Sequence, residues 1–323
     1  MYSIGLDISK STINVYVPCN DLDLVIENNL KSIKSLYSKL KKQYKKEFDK
    51  LVFIYEPTSN YSFLLKSFCA NKNIKSFIVN PKKSASFAKV MGHRNKTDIK
   101  DARLLSKMIV TAKDEDIKVP MINSVEEELK ELIACYKLII KQQVISKNHI
   151  AALKAKREKS YSIKELELQY QFLKKQELKL IKQIKSVIKK DEKLQEIFKN
   201  LQTIDGIGEI SSIVLLSHFT QYPNANQKQI VSLAGLDPIE KSSGSSVRGK
   251  TKISKAGSKI CRGTLFMPAM TSIRHNERLK IFYDRLKENG KHTTVIQVAI
   301  MRKLLIIAHS LYKNNKSYDP NKI

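Results

Sequence analysis

The chain has 323 residues, too many for one ordinary hydrophobic core and enough for two domains plus a connector. Its 59 Lys and Arg against 31 Asp and Glu give a formal net charge of +28, a field that selects nucleic acid as partner, although a Lys-rich genome would also produce such a composition. Cys19, Cys69, Cys135 and Cys261 show no C-x-x-C spacing, the histidines show no H-x-x-x-H spacing, no apolar run approaches a membrane span, and the start reads as a strand, so zinc cages, disulfide frameworks, membrane insertion and export are excluded and a cytoplasmic, nucleoid-associated protein is expected.

Two β-branched runs between Tyr2 and Val17 flank Ser9-Lys10-Ser11 and predict a hairpin, and Leu22 to Ile26 predicts a third strand of an antiparallel meander. A helix over Lys31 to Lys45 follows, then a strand at Leu51 to Tyr55, a helix near Tyr61 to Ala70, and a strand at Ile74 to Val79. Alternating strand and helix predict an α/β sheet in a first domain of residues 1–120.

From Ser124 to Asn200 the sequence is Gly-free and rich in Lys and Glu, with Leu166, Tyr170, Leu173, Leu180, Ile184 and Val187 at spacings of three and four. This predicts a long helical connector over residues 121–199, bent within Lys154 to Ser162, with Lys147 and Glu177 on its apolar seam. A dimerising coiled coil and a bundle folded on itself both satisfy the pattern. Residues 200–323 form a mainly helical third part. It opens with Ile204-Asp205-Gly206-Ile207-Gly208-Glu209 before an apolar helix, Ile210 to Leu216, an arrangement like a helix-hairpin-helix whose Gly206 and Gly208 amides could grip a phosphate. A Ser/Gly/Lys/Arg-rich loop region from Gly235 to Gly263 and a helix over Thr293 to Tyr312 complete the chain. The polar end, Lys313 to Ile323, has disorder as its default.

Four carboxylates stand out. Asp7 ends the first strand and Glu56 directly follows the strand Leu51 to Tyr55, so both project from one sheet edge. Asp98 and Asp101 lie three apart at the start of a helix that Thr97 would cap, which puts them on one face. First-turn acids also occur simply to complement the helix dipole. Brought together in so basic a chain, the four would require a divalent cation, and Mg²⁺, as one ion or two, suits carboxylate oxygens and in-line attack on a phosphodiester. His93 and Arg94 just before them, and Arg274 and His275 later, are further candidates for phosphate contact.

The loop region offers hydroxyls among cations. Ser242, Ser243, Ser245 and Ser246 are all candidate nucleophiles, and Arg248, Lys250, Lys252, Lys255 and Arg262 could hold a phosphate under attack. Residue chemistry alone does not choose among the serines.

A hairpin with Asp, a later strand with Glu and a helix with paired Asp together resemble the RNase H-like, RuvC-type nuclease fold. Gly5-Leu6-Asp7-Ile8-Ser9-Lys10, Glu56-Pro57-Thr58-Ser59-Asn60-Tyr61 and Lys96-Thr97-Asp98-Ile99-Lys100-Asp101-Ala102 further resemble the DEDD signature of insertion-sequence family 110 transposases, relatives of the Piv-type DNA invertases. Ser59 departs from the glycine frequent there. In the C-terminal half, Gly235-Leu236-Asp237-Pro238, Ser243-Gly244, Arg248-Gly249, Ile253-Ser254-Lys255-Ala256-Gly257 and Leu265-Phe266-Met267-Pro268-Ala269 follow that family's order.

The resemblance implies an RNase H-like domain, a coiled-coil connector and a C-terminal transposase domain. It implies Ser243 as the nucleophile of a covalent serine–DNA intermediate, assisted by Mg²⁺ on Asp7, Glu56, Asp98 and Asp101, with Lys96 beside the acids. It also implies double-stranded donor and target DNA, a structured guide RNA, and a homodimer or tetramer. Two other readings of the residues stand beside it, a metal-dependent junction endonuclease and a non-enzymatic nucleic-acid-binding dimer.

Overall fold

The computed structural model describes residues 1–58, 60–92, 98–156, 159–240, 242–243, 247–248 and 251–320, with backbone alone for 98–99, 242–243 and 247–248. The chain divides into two compact units, Met1–Ile122 and Asn123–Ile323.

The first unit is built on a six-stranded sheet in the order β3-β2-β1-β4-β5-β6. Strands β1 (Tyr2–Ile8), β2 (Thr12–Val17) and β3 (Leu22–Glu27) form the expected antiparallel meander. Strands β4 (Leu51–Tyr55) and β5 (Lys75–Ile78) add on in parallel, and β6 (Ile117–Lys118) closes the edge antiparallel. Period-two alternation sends Ile4, Leu6, Ile8, Ile13, Val15, Leu51, Phe53 and Tyr55 to one face, where α1 (Leu30–Tyr44) and α2 (Phe63–Asn71) cover them. Helix α1 starts at Asn29, whose side chain accepts from the Ser32 amide at 2.8 Å, and buries Ile33, Leu36, Leu40 and Tyr44 at helical spacing. Complete burial of such side chains is worth about 1.5–3 kcal/mol each. The opposite face carries Val52, Ile54, Phe77 and Val79, packed with Leu105 of α4 (Asp98–Lys107) and with Met108. A helix the sequence reading passed over, α3 (Pro81–Val90), has ordinary signals: Asn80 caps the Lys82 amide at 2.9 Å and Pro81 takes the first turn.

In the second unit, α5 (Ser124–Lys156) and α6 (Tyr161–Lys189) pack along one another within the chain. Their junction falls inside the expected bend, and the Ser160 hydroxyl caps α6 by accepting from the Ile163 amide at 3.2 Å. Glu177 is on the seam as expected, buried and held by Gln143 Nε2 at 2.9 Å and Lys174 Nζ at 3.1 Å. Lys147 is not: it is exposed, and the buried polar residues of α5 are Gln143 and Ser146, each on the side where an ammonium would have lost its water. Tyr161, Leu168 and Phe172 lie on the far side of α6, 79%, 56% and 59% exposed.

Leu129, Ile133, Tyr136, Ile184 and Ile188 at the root of this pair join one core with α7 (Glu192–Gln202), α8 (Glu209–Gln221), α9 (Gln227–Ala234), α10 (Lys259–His275), α11 (Glu277–Glu288) and α12 (Thr293–Asn314). Helix α12 corrects one sequence expectation, being long and apolar enough to cross a membrane by length and composition. More than half of the apolar stretch lies inside the protein, and Ile296, Ile300, Leu304, Leu305 and Ala308 make it the central core helix. The chain end is corrected too. Asn315, Ser317 and Tyr318 are tied down: Asn315 Nδ2 donates to Glu196 at 2.6 Å, Ser317 Oγ to Asn200 Oδ1 at 3.0 Å, and the Tyr318 amide to Thr203 Oγ1 at 2.8 Å. Terminal polarity predicted disorder because it gave no sign of these partners in α7 and the turn after it.

Candidate active site

Strand pairing brings the first two acids together. Strands β1 and β4 run parallel with Leu6 opposite Tyr55, so the next step in register sets Asp7 beside Glu56 at the carboxyl ends of adjacent strands, where neighbouring chains lie about 4.8 Å apart. The Ser84 hydroxyl of α3 donates to Glu56 Oε1 and, at 3.0 Å, to the Pro81 carbonyl, fixing the Glu56 side chain from the next element. On the other side, Asn14 of β2 is the direct antiparallel partner of Asp7 and is only 7% exposed. Directly paired residues share a face. Asn14 is therefore a third polar group on the acid side of the sheet, missed in the sequence although it interrupts the apolar run of β2.

The second pair of acids is delivered by α4. An added Cβ on Gly5 would stand 1.9 Å from the Ala102 carbonyl oxygen, so only glycine lets this helix lie so close to β1. Ser106 Oγ meets Ser3 Oγ at 2.9 Å, which orients α4 antiparallel to the strand. Moving from Ser3 to Gly5 to Asp7 along β1 is thus matched by moving from Ser106 to Ala102 to Asp98 along α4, one helical turn of about 5.4 Å for each two strand residues. This register brings the Asp98 backbone to the Asp7 end, with Asp101, half-buried, in the same turn.

Arg103 then clamps the helix sideways. Its Nε and Nη2 reach the Asp23 carboxylate at 3.0 and 2.6 Å, its Nη1 reaches Asp21 at 2.9 Å, and its guanidinium lies 4.6 Å from the Tyr16 ring centroid. The hydrogen bond to Asp23 raises the guanidinium pKa further, and burial with the Asp21 hydrogen bond raises that of Tyr16.

Backbone register thus sets Asp7 beside Glu56 and brings the start of α4 towards the same end of the sheet. Among the described residues no group of three or more His, Cys, Asp or Glu is close enough to hold a metal ion, and the Asp98 side chain lies outside the described set. The donor chemistry still fits a hard cation: carboxylates and a carboxamide on one sheet face, with neither cysteine nor histidine among them. Lys96, Thr97, His93 and Arg94 also lie outside the described residues.

The serine region corrects a sequence expectation. It is strand-paired, where a loop was expected. Pro238–Ile239 (β7) pairs antiparallel with Lys252–Ile253 (β10), and Ser242–Ser243 (β8) with Val247–Arg248 (β9). The β8–β9 pair falls in sequence between β7 and β10, Ser243 is the last residue of β8, and the segment from β7 to β10 is called the serine arm, with β7 and β10 as its root. Gly244, Ser245, Ser246, Gly249 and Lys250 lie outside the described residues.

The base of the arm is firmly rooted. Ser254 donates through its hydroxyl to Asp237 Oδ1 and through its amide to the Asp237 carbonyl at 2.9 Å. A Cβ on Gly257 would stand 2.0 Å from the Leu233 carbonyl, so α9 and the end of the arm touch backbone to backbone. Arg262 Nη1 donates to the Ala234 and Gly257 carbonyls at 2.8 and 3.1 Å, so a cation assigned to phosphate from sequence also holds the root of the arm. Lys252 and Lys255 are exposed on the last strand and the turn after it.

The two glycines of the helix-hairpin-helix-like turn differ. Gly206 (φ +87°) is wedged against α10, where a Cβ would meet the Pro268 carbonyl at 2.7 Å, while Gly208 is open and caps α8. The Gly208 carbonyl is taken up by the Ser212 amide at 2.9 Å and the Ser212 hydroxyl at 3.0 Å.

Two deeply buried histidines complete the picture of this unit. His218 and His309 each have an Nε2 without a hydrogen-bond partner. Burial lowers the pKa of His218 to about 4 and also depresses that of His309, so both are neutral core groups.

Comparison with known proteins agrees with this anatomy. A DEDD-type transposase domain of the IS110 kind matches residues 4–156, and the transposase IS116/IS110/IS902 family matches residues 198–284. The chain is similar to the pilin gene-inverting protein of Moraxella bovis, 27% identical over 98% of this chain and 97% of that protein. It is also similar to the pilin gene-inverting protein of Moraxella lacunata, 29% identical over 83% and 82% of the two. An uncharacterized insertion element IS110 protein of Streptomyces coelicolor is 25% identical over 37% of this chain and 29% of its own length.

Proposed function

The chain belongs to the IS110 family of transposases and is a DNA-cutting and rejoining enzyme, and from that premise we propose that it recombines DNA through a covalent serine–DNA intermediate, with Ser243 as nucleophile and the four acids as its metal-assisted partner. The observation that carries the reading is the double register of β1, with Glu56 beside Asp7 and α4 returning Asp98 to the same end.

A DEDD-type domain works with a divalent metal, and Mg²⁺, as one ion or two, is the ion we assign to Asp7, Glu56, Asp98 and Asp101. Bound there, it would neutralise charge developing on the phosphate oxygens. Ser84 holds Glu56 in place, and the Arg103 clamp holds the turn bearing Asp101. Lys252 and Lys255, with Arg248 and Lys250, hold the phosphate on the arm side. The Ser243 hydroxyl oxygen bonds to phosphorus as the bond from phosphorus to a deoxyribose oxygen breaks; the serine proton is lost as the leaving oxygen gains one. Attack by a second deoxyribose hydroxyl reverses the exchange on a new strand, so the phosphodiester is conserved without ATP.

The substrates are double-stranded donor and target DNA. The Moraxella relatives are named for inverting a pilin gene, and inversion uses the same cut-and-rejoin sequence as conservative transposition. A structured RNA that pairs with both DNAs accounts for site choice without base-reading side chains, which suits a basic chain lacking Trp. The exposed row Tyr161, Leu168 and Phe172 on α6 supports assembly as a homodimer or tetramer, whose copies share composite sites.

The test is expression with the gene's flanking noncoding DNA, followed by incubation with candidate junctions and Mg²⁺. Wild type should yield recombinants, protein–DNA adducts and co-purifying RNA, and Ser243→Ala should lose both adduct and recombinant. Cutting that survives in Ser243→Ala would replace this reading with a hydrolytic junction endonuclease.

A further inference from the structure

The first unit has a second chemically distinct place, at the opposite end of the sheet from the acids. Glu56 follows the last residue of β4, whereas Leu51, its first, lines a cavity of about 370 Å³ together with Ile74 and Lys75 at the start of β5. Five strand residues separate the two ends, about 17 Å. Four lysines rim the cavity: Lys41 from the last turn of α1, Lys45 directly after it, Lys72 directly after α2, and Lys75 at the start of β5. Asp49 is the single acid among the ten lining residues, and among the described residues none of the four lysines has a carboxylate within 4.0 Å.

The floor is aromatic. Lys45 ends α1 with φ +43°, a conformation costly for a non-glycine residue, and the reversal returns Phe48 onto Tyr37 with ring centroids 5.2 Å apart and nearly perpendicular planes. Both rings are half-buried and line the cavity. Lys34 and Lys41 lie seven apart on α1, on one side of the helix, with Lys45 directly after its end.

Lysines grouped around a cavity that two aromatic rings line match a chain of phosphates carrying an unstacked base, not a duplex whose bases are stacked inside. We infer that this lysine-rimmed cavity is a binding site for single-stranded nucleic acid, with Lys41, Lys45, Lys72 and Lys75 on the phosphodiester backbone and a base against Tyr37 and Phe48. It holds a strand away from the acids and takes no part in cutting. RNA and single-stranded DNA share this chemistry, and the two are separated by experiment.

The test uses the full chain and fluorescein-labelled oligouridine and oligothymidine of about eight nucleotides, with binding followed by anisotropy over a salt series. Lys41→Gln/Lys72→Gln should weaken the preferred oligonucleotide about tenfold or more. It should also flatten the salt slope by about 1.4, the share of two phosphate contacts on a single strand. Phe48→Leu should weaken binding with the salt slope unchanged, because it removes stacking and no charge. The sugar whose binding suffers identifies the source of the strand. The inference is overturned if neutralising two lysines elsewhere, Lys182→Gln/Lys189→Gln on α6, costs as much, or if a labelled duplex loses as much affinity as the single strands. No cutting is read, so failure of the serine mechanism would leave this result standing.

Discussion

The acid end of the sheet and the serine arm are built on opposite principles. Asp7 and Glu56 are placed by strands buried on both faces, and α4 is placed by a backbone contact that only Gly5 permits, so the acids inherit their positions from a core. Ser243 lies in one of the two-residue strands of the arm, whose fixed points among the described residues, Asp237–Ser254, Leu233–Gly257 and Arg262, lie at the root. A metal site needs several groups held within a fraction of an ångström, which packing supplies. A nucleophile that must meet a phosphate and later release it needs one residue projected from a firm base. Damage to the packing beneath the acids should therefore reach the fold, whereas damage to the acids themselves or to the arm should reach mainly the reaction.

Asp7→Asn carries the largest effect. It keeps size and shape, so the melting temperature should hold while cutting of junction DNA in Mg²⁺ falls about 10³-fold, as when a preorganised electrostatic group is lost. Equal cutting by the variant would detach the sheet from the chemistry.

Gly5→Ala comes next, and there the fold should fail along with activity. Its new methyl is 1.9 Å from the Ala102 carbonyl, so α4 must lift from β1 at a cost of about 3 kcal/mol, seen as a lowered unfolding midpoint in denaturant. Hydrogen exchange should quicken first in α4, and unchanged stability would refute the register on which the acid site depends.

Acid sharpens the comparison from the other side, because the second unit holds the buried neutral histidines. The folded pKa of His218, about 4, lies below the unfolded value of about 6.5, so the unfolded chain binds the extra proton. The stability is fully present above about pH 6.5 and is lost as pH falls towards 4, by about 3 kcal/mol at most, with His309 shifted in the same direction. In denaturant titrations across that range His218→Phe should flatten the loss for the second unit, and a slope unchanged by the variant would contradict it.

A more modest effect is expected at the arm's root. Arg262→Met removes two hydrogen bonds to the Ala234 and Gly257 carbonyls, about 1–2 kcal/mol, but should slow strand rejoining more than it shifts unfolding. A loss of activity no greater than the loss of folded protein would make Arg262 a purely structural residue.

The sheet was legible because apolar residues alternate in β1 and β2 and run unbroken through β4, and the acids because they lie at strand ends or share a helix turn. What makes them a site was not legible. Gly5 looks like any strand glycine until Ala102, almost a hundred positions away, is packed on it. Asn14 gains meaning only from antiparallel pairing with Asp7. Lys147 was put on the seam by spacing alone, and one step of helix rotation moves a side chain from core to solvent. The arm looked like a loop because two-residue strands set in a segment rich in Ser, Lys and Gly carry no periodic signal, and the chain end looked disordered because its partners Glu196, Asn200 and Thr203 are remote in sequence.

The joint action of the two regions is tested most directly by the adduct itself. Junction DNA is incubated with the full chain and Mg²⁺, the reaction is stopped with denaturant, and the peptide carrying DNA is identified by mass spectrometry. The account predicts a phosphodiester on Ser243, absent from Ser243→Ala and strongly reduced in Asp7→Asn. DNA attached to another residue, or an adduct that forms equally well without the Asp7 carboxylate, would contradict it.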